Sequence, residues 1–287
     1  MEQKLRVRIL RFLKNASFVL LAAIAAFALW QLTKAVPTEG DWQEQLAILP
    51  TAEFSGDSVT VRNVRNFRYG PTEAEMLPAY YDRTYDLTDV RRVWFISEPF
   101  NENQLAAHTF LSFEFGNGDF LSISIEARKT KDQAYSIWKG LLRTYPLVYI
   151  AADERDTVLM RANIRKDRVY AYPVKLEKQE NGRLLLESML RRMNELAGDK
   201  PAWYHTFLAN CTSSIAKHVN ELSPGRVSLL SWELLFTASA DELAHESGLL
   251  DTDLSIEDAR AKYQINAKSE ALGDVPEYSR GIREFGE

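Results

Sequence analysis

The sequence predicts an α+β domain carried by one N-terminal membrane helix, and three observations predict it. Residues 16–32 form an uncharged apolar run. Residues 108–128 hold two alternating stretches around a Gly-Asn-Gly-Asp turn, the pattern of an antiparallel hairpin. Residues 183–196 and 204–222 repeat apolar side chains at helical spacing.

The run from Ala16 to Leu32 reads ASFVLLAAIAAFALWQL, and Ser17 and Gln31 are its polar residues. At 1.5 Å rise per residue, seventeen residues are the short end of a membrane span. Trp30 stands near the outer end, where amphipathic aromatics favour the interface. Residues 1–14 carry Lys4, Arg6, Arg8, Arg11 and Lys14 against Glu2, a local charge of +4. The positive-inside rule keeps that end in the cytoplasm and sends the rest to the periplasm of a bacterium with two membranes. A cleaved signal peptide is the competing reading. Ala26-Phe27-Ala28 fits a small-x-small site, but bulky Leu29-Trp30 follows it, which favours an uncleaved anchor in the inner membrane. The expected organisation is a basic cytoplasmic N-terminus (1–14), a transmembrane helix (15–35), a linker (36–57), a periplasmic domain (58–250) and a polar, peripheral C-terminal tail (251–287).

Total charge is −5, so the chain beyond residue 14 carries −9. A domain that acidic makes a poor partner for nucleic acid, whose affinity rests on neutralised phosphates. The one cysteine, Cys211, rules out an internal disulfide and a CxxC zinc site. No HExxH, GxSxG, P-loop or GxGxxG stands in the sequence, so no metal or other cofactor is expected.

Ser58–Phe67, Val90–Ile96, Tyr145–Ala152, Asp156–Ala162 and Arg168–Val174 read as strands. Asp132–Leu142 reads as a helix, and Arg183–Leu196 as a strongly amphipathic one ended by Gly198 and Pro201. In the hairpin, Leu111, Phe113 and Phe115 match Leu121, Ile123 and Ile125 on one face. Pairing odd with odd requires a loop of odd length. Gly116-Asn117-Gly118 meets this, with Gly118 left-handed. That register sets His108 opposite Glu126; a slip of two residues would set it opposite Arg128 instead.

Two readings of HTFLANCTSSIAKHVNEL (205–222) stand open. A helix starting near Trp203 makes Cys211 a small core side chain in an apolar stripe. A helix capped by Asn210 and opened by Cys211 puts the thiol at the positive end of the macrodipole, which favours thiolate. Such a nucleophile needs a base. His218 is about 10 Å further along the helix axis, His205 lies on another face, and His245 carries no signal. His108, with Glu126 opposite, is the best placed.

The segments HTFLSFEFGNGDFLSISIEARK, YIAADERDTVLMRANIR, RVYAYP and WYHTFLANCTSSI occur in this order. Together they resemble the N-terminal periplasmic domain of the Lnb-type bacterial lipoprotein N-acyltransferases, over roughly residues 80–245. The resemblance implies a circularly permuted papain-like (NlpC/P60-like) fold, with a small antiparallel sheet, packed helices and the nucleophile opening a helix. It implies Cys211 as nucleophile, His108 as base, Glu126 as the residue orienting it, and Asn210 and Thr212 as oxyanion or support residues. It implies membrane lipids and lipoproteins as partners, and transfer of an acyl chain from phospholipid to a lipoprotein amine through a thioester. The family continues into several C-terminal membrane helices, whereas no apolar run of spanning length follows residue 35 here. A thiol hydrolase on the same scaffold, or a non-enzymatic envelope protein with a degenerate site, remains open, as does the oligomeric state.

Overall fold

The computed structural model describes residues 2–100, 106–229, 231–234 and 237–286. The chain divides into two compact units, 1–37 and 38–287. The first is helix α1 (Glu2–Thr33), in which the basic N-terminus continues into the apolar run. Its stretch Arg8–Gln31, of mean hydropathy 1.9, is long and apolar enough to cross a membrane.

The second unit is built on a sheet of mixed strand lengths. In chain order come α2 (Glu44–Ala47), β1 (Thr51–Ser55), β2 (Ser58–Arg65), a small hairpin of β3 (Arg68–Tyr69) and β4 (Met76–Leu77), and β5 (Tyr80–Asp86). Then follow β6 (Val90–Pro99), β7 (Ala107–Phe115), β8 (Phe120–Ala127), α3 (Ile137–Leu141), β9 (Pro146–Ala152), α4 (Glu154–Leu159), β10 (Tyr170–Pro173) and α5 (Glu180–Ala197). The chain closes with β11 (Ala202–Trp203), α6 (Cys211–Leu222), α7 (Ala240–Glu246), α8 (Ile256–Tyr263), α9 (Asn266–Leu272) and α10 (Tyr278–Gly281). The sheet order is β1-β2-β9-β8-β7-β6-β10, with β5 also on β2 and β11 also on β9. Neighbours are antiparallel except β2 and β9, which meet in parallel at Arg65↔Ala152. The fold is thus a mixed α/β domain.

The odd positions of the central strands behave as the alternation requires. Leu111, Phe113, Leu121 and Ile123 are buried in one core with Leu186, Met189 and Leu190 of α5. Residues 116–118 close the hairpin, with the Phe115 N–H donating to the Asp119 carbonyl at 2.9 Å. Gly118 has φ of +87°, a conformation that L side chains rarely adopt.

The opposite face is not a wet one. Trp94, Ile96 and Phe110 are buried there with Val158, Tyr278 and Ile282. Ser112 and Ser122 of the same face are fully enclosed. Two expectations change as a result. Residues 251–287 are no peripheral tail: Ala259 and Tyr263 of α8, Tyr278 of α10, and Ile265 and Ile282 at helix ends are buried in the interior. The polar composition reflects short helices with one or two inward apolar residues each. Residues 36–57 are likewise more than a linker, because β1 forms the sheet's edge and Leu46 of α2 is buried against Val148 and Ile150.

Helical boundaries also shift. Asp132–Leu142 is helical over Ile137–Leu141, where Ser136 caps α3. Asp156–Ala162 is not a strand. The Asp153 side chain accepts from the Arg155 N–H and caps α4, which runs into a π-helical turn, Met160–Ile164. The Asp153 cap and the acidic first turn outweigh the short apolar stretch that suggested a strand. Inside this corner Asp156 is fully buried and accepts from Arg65 Nε (2.8 Å), the Phe67 N–H (2.9 Å) and the Tyr69 hydroxyl (2.9 Å). It ties β2 to α4. Removing one partner of a buried pair strands the other's charge, at about 3–5 kcal/mol. Asp156→Ala should therefore lower the thermal unfolding midpoint of the detergent-solubilised protein well below that of the surface variant Glu257→Ala, as read by circular dichroism.

Candidate active site

Helix α6 begins at Cys211. Asn210 accepts from the Ser213 N–H at 2.7 Å, and the Ser213 hydroxyl accepts from the Asn210 N–H at 3.0 Å, a reciprocal capping box. Of the two readings of this segment, the one with the thiol on the first turn describes the structure. Cys211 is nonetheless well covered, at 6% exposure.

The register of β7 and β8 runs Phe110↔Ser124, Ser112↔Ser122 and Glu114↔Phe120. Continued by two residues, it sets His108 opposite Glu126, as the hairpin geometry requires. His108 Nε2 lies 2.7 Å from Ser124 Oγ and 3.1 Å from Glu126 Oε1. The Ser124 hydroxyl donates to the same Glu126 oxygen at 2.7 Å. With Nε2 engaged there, Nδ1 is the ring nitrogen left for Cys211.

Cys211 and His108 share the cleft closely enough to shift each other's proton affinity. Burial pushes the Cys211 thiol up, but a hydrogen-bonding interaction with His108, the His108 charge, and the N–H and hydroxyl of Thr109 bring it down to about 7. Burial pushes His108 down, and the Glu126 charge, Cys211 and the Glu126 hydrogen bond together raise it to about 9. Near neutral pH this combination favours a thiolate–imidazolium pair. Glu126 is held well below the usual carboxylate range: burial opposes ionisation, but His108, Arg161 and the Ser124 hydroxyl prevail.

Other contacts of the sulfur are long, 3.8 Å to Thr212 Oγ1 and 4.0 Å to the Ala107 carbonyl. The Thr212 hydroxyl pairs with that of Thr109 at 3.0 Å, so it fastens α6 to β7 rather than facing substrate. The Asn210 side chain is fully employed, donating to the carbonyls of Thr206 (2.7 Å) and Leu234 (2.9 Å). It has no donor left for an oxyanion and acts as a cap and clamp. The backbone N–H groups of Cys211 and Thr212 find no acceptor among the described residues, as expected of the first turn of a helix.

Cys211, His108 and Glu126 line one cleft of about 400 Å³. Its lining includes the apolar or aromatic Phe100, Ile137, Tyr204 and Phe207 and the charged Arg65, Arg161, Arg165 and Glu73. Arg161 was missed in the sequence because its segment reads as a strand. Its Nε donates to Glu98 at 2.6 Å and its guanidinium lies 3.5 Å from Glu126. Ser124 was legible, since alternation puts it on the face shared by His108 and Glu126. The remaining histidines are occupied elsewhere. His218 contacts Tyr149 and Ser188 (2.9 and 2.6 Å), His245 meets the Leu254 carbonyl, and His205 Nδ1 accepts from the N–H groups of Phe207 and Leu208. Among the described residues no group of three or more His, Cys, Asp or Glu could hold a metal ion.

The thiolate forms as pH rises, so alkylation of Cys211 by iodoacetamide should reach half its maximal rate near pH 7. In His108→Gln the hydrogen bond and positive charge are gone while burial stays. The midpoint should then move well above 7, because burial still raises the thiol and only the Thr109 groups still lower it.

A family model described as the Lnb N-terminal periplasmic domain matches residues 77–238. No curated protein and no solved structure matches the chain.

Proposed function

Because this chain belongs to the Lnb N-terminal periplasmic domain family, we propose that it is a membrane-anchored thiol acyltransferase of the periplasm, with Cys211 as nucleophile, His108 as its acid–base partner and Glu126 as the residue that orients and charges His108. The observation that carries the proposal is one cleft lined by Cys211, which opens a capped helix, and by His108, 3.1 Å from Glu126; these surroundings lower the thiol and raise the imidazole. The periplasmic domain family and the N-terminal apolar helix fit a single-pass inner-membrane protein. With the basic N-terminus in the cytoplasm, α1 tethers the folded unit to the membrane in which such lipid substrates are confined. The order His, Glu, Cys along the chain, with the Cys-bearing helix packed against an antiparallel sheet, is the arrangement expected of a permuted papain-like fold.

The reaction follows from the charges. The Cys211 thiolate attacks the carbonyl carbon of an acyl ester, such as one in a phospholipid, and a C–S bond forms. The N–H groups of Cys211 and Thr212 receive the tetrahedral oxyanion. Its collapse breaks the C–O bond, and the His108 imidazolium gives its proton to the departing alkoxide. His108, now neutral, takes a proton from an incoming amine as that amine attacks the thioester. The new C–N bond forms, the thiolate leaves, and the ion pair is restored. A lipoprotein's N-terminal amine is the acceptor this reading assigns; water in its place would give a hydrolase.

Incubation with acyl-labelled phospholipid should load one acyl chain onto Cys211 as a hydroxylamine-sensitive thioester, detected by mass spectrometry. Cys211→Ala should show none, and His108→Ala should load about 10²–10⁴-fold more slowly. Absence of the adduct in the native chain would sink acyl transfer, and release as free fatty acid despite added amine would make it a hydrolase. Loading should rise through pH about 7 as the thiolate forms and fall through about 9 as His108 loses its proton. Glu126→Gln should bring the alkaline limb down, because the carboxylate is the main group raising His108.

A further inference from the structure

The mouth of the cleft carries an apolar patch that the catalytic reading does not use. Helix α3 exposes Trp138 at 76%, with Leu142 beside it, and the neighbouring turn exposes Leu208 at 62%. The two elements are joined, since the Thr206 hydroxyl donates to the Ile137 carbonyl at 2.9 Å. Ile137 and Phe207 continue the patch into the cleft. Exposed apolar side chains clustered at one place mark a contact surface, whereas scattered ones do not.

The charge around the patch is unlike that of the domain as a whole. Beyond residue 14 the chain carries −9, yet residues 133–152 and 200–220 contain no Asp or Glu. These stretches do contain Lys139, Arg143, Lys200 and Lys217. Lys217 donates to the Leu208 carbonyl at 2.8 Å, which places its ammonium at the patch edge. Lys200 is engaged by Glu195 at 2.8 Å, which leaves Lys139, on α3 itself, and Lys217 as the cations beside the exposed Trp and Leu, a pairing that suits the interface of an anionic bilayer.

Chain length supplies the occupant. Helix α1 ends at Thr33 and the folded unit begins at Thr38. The intervening residues reach less than about 20 Å even when fully extended. With α1 in a bilayer, the unit is never farther from that surface than this tether permits.

We propose that the patch of Trp138, Leu142 and Leu208 seats the domain on the anionic surface of the membrane holding α1, so that the cleft opens at the lipid headgroups. Apolar insertion supplies the attachment, and Lys139 and Lys217 offset the repulsion of an acidic domain by acidic lipid. This docking does not depend on which reaction Cys211 performs.

The test uses the full chain in vesicles of phosphatidylethanolamine and phosphatidylglycerol. In a Cys211→Ser background, single cysteines replace Trp138, Leu208 or, as a control on α8, exposed Glu257. Each carries a nitroxide label. Both patch residues are largely exposed, so their replacement leaves the core intact. The ratio of oxygen to nickel-chelate accessibility should be several-fold higher at 138 and 208 than at 257. It should fall at the patch when Lys139 and Lys217 are both changed to Glu. Equal, water-like ratios at all three positions would overturn the proposal and leave the patch to a protein partner. Because the readout is depth, it stands or falls separately from thioester formation on native Cys211.

Discussion

The hairpin register is the constraint on which the site rests. Side chains on a strand alternate with a period of two, so a slip of one residue between β7 and β8 would send every side chain of one strand to the wrong face. The three-residue loop with left-handed Gly118 prevents this. The same register that buries Phe113 beside Leu121 also carries His108 and Glu126 to the same end of the sheet, 3.1 Å apart. Core packing and site geometry thus have one cause. The cost of exposing a row of Phe, Leu and Ile protects the alignment of two polar side chains.

Around that pair the protein assembles a buried chain of alternating charge. Arg161 lies between Glu98 and Glu126, and Glu126 faces His108. Arg165 reaches Glu98 at 3.7 Å and Glu73 at 2.6 Å. A buried charge is costly unless paired, and here each carboxylate meets a cation. The arrangement keeps Glu126 ionised despite burial, and an ionised Glu126 keeps His108 protonated. Arg161 acts on the sulfur only through these intermediaries. Its position comes from the π-helical turn that extends α4, an irregularity often found beside functional groups.

The first turn of α6 divides its polar groups between structure and chemistry. Asn210 spends its side chain on the Ser213 N–H and on two carbonyls, pinning the segments at 206 and 234 to the helix start. Thr212 spends its hydroxyl on Thr109. The sulfur and the N–H groups of Cys211 and Thr212 are the polar groups of this turn left without a close structural partner among the described residues. Residues that look catalytic by proximity in sequence therefore hold Cys211 in place, and the groups left for reaction are few.

The sequence by itself determined whatever depends on local period and local turns. These are the apolar helix at the N-terminus, the hairpin with its register, the amphipathic α5, and the opposition of His108 to Glu126. Each is set by neighbours within about twenty residues. Only the tertiary structure decided that α6 starts at Cys211 rather than near Trp203, since an unbroken apolar stripe suits either start and the local Asn210–Ser213 cap is reinforced by the Leu234 carbonyl, 24 positions away. It also decided that the serine face of the hairpin is enclosed, because it is covered by α4, which reads as a strand, and by the segment around Tyr278 and Ile282, which lies more than a hundred residues away and looks polar on its own. Arg161 became visible for the same reason: its partners Glu98 and Glu126 are 63 and 35 positions distant, and pairing at that separation leaves no trace in local pattern.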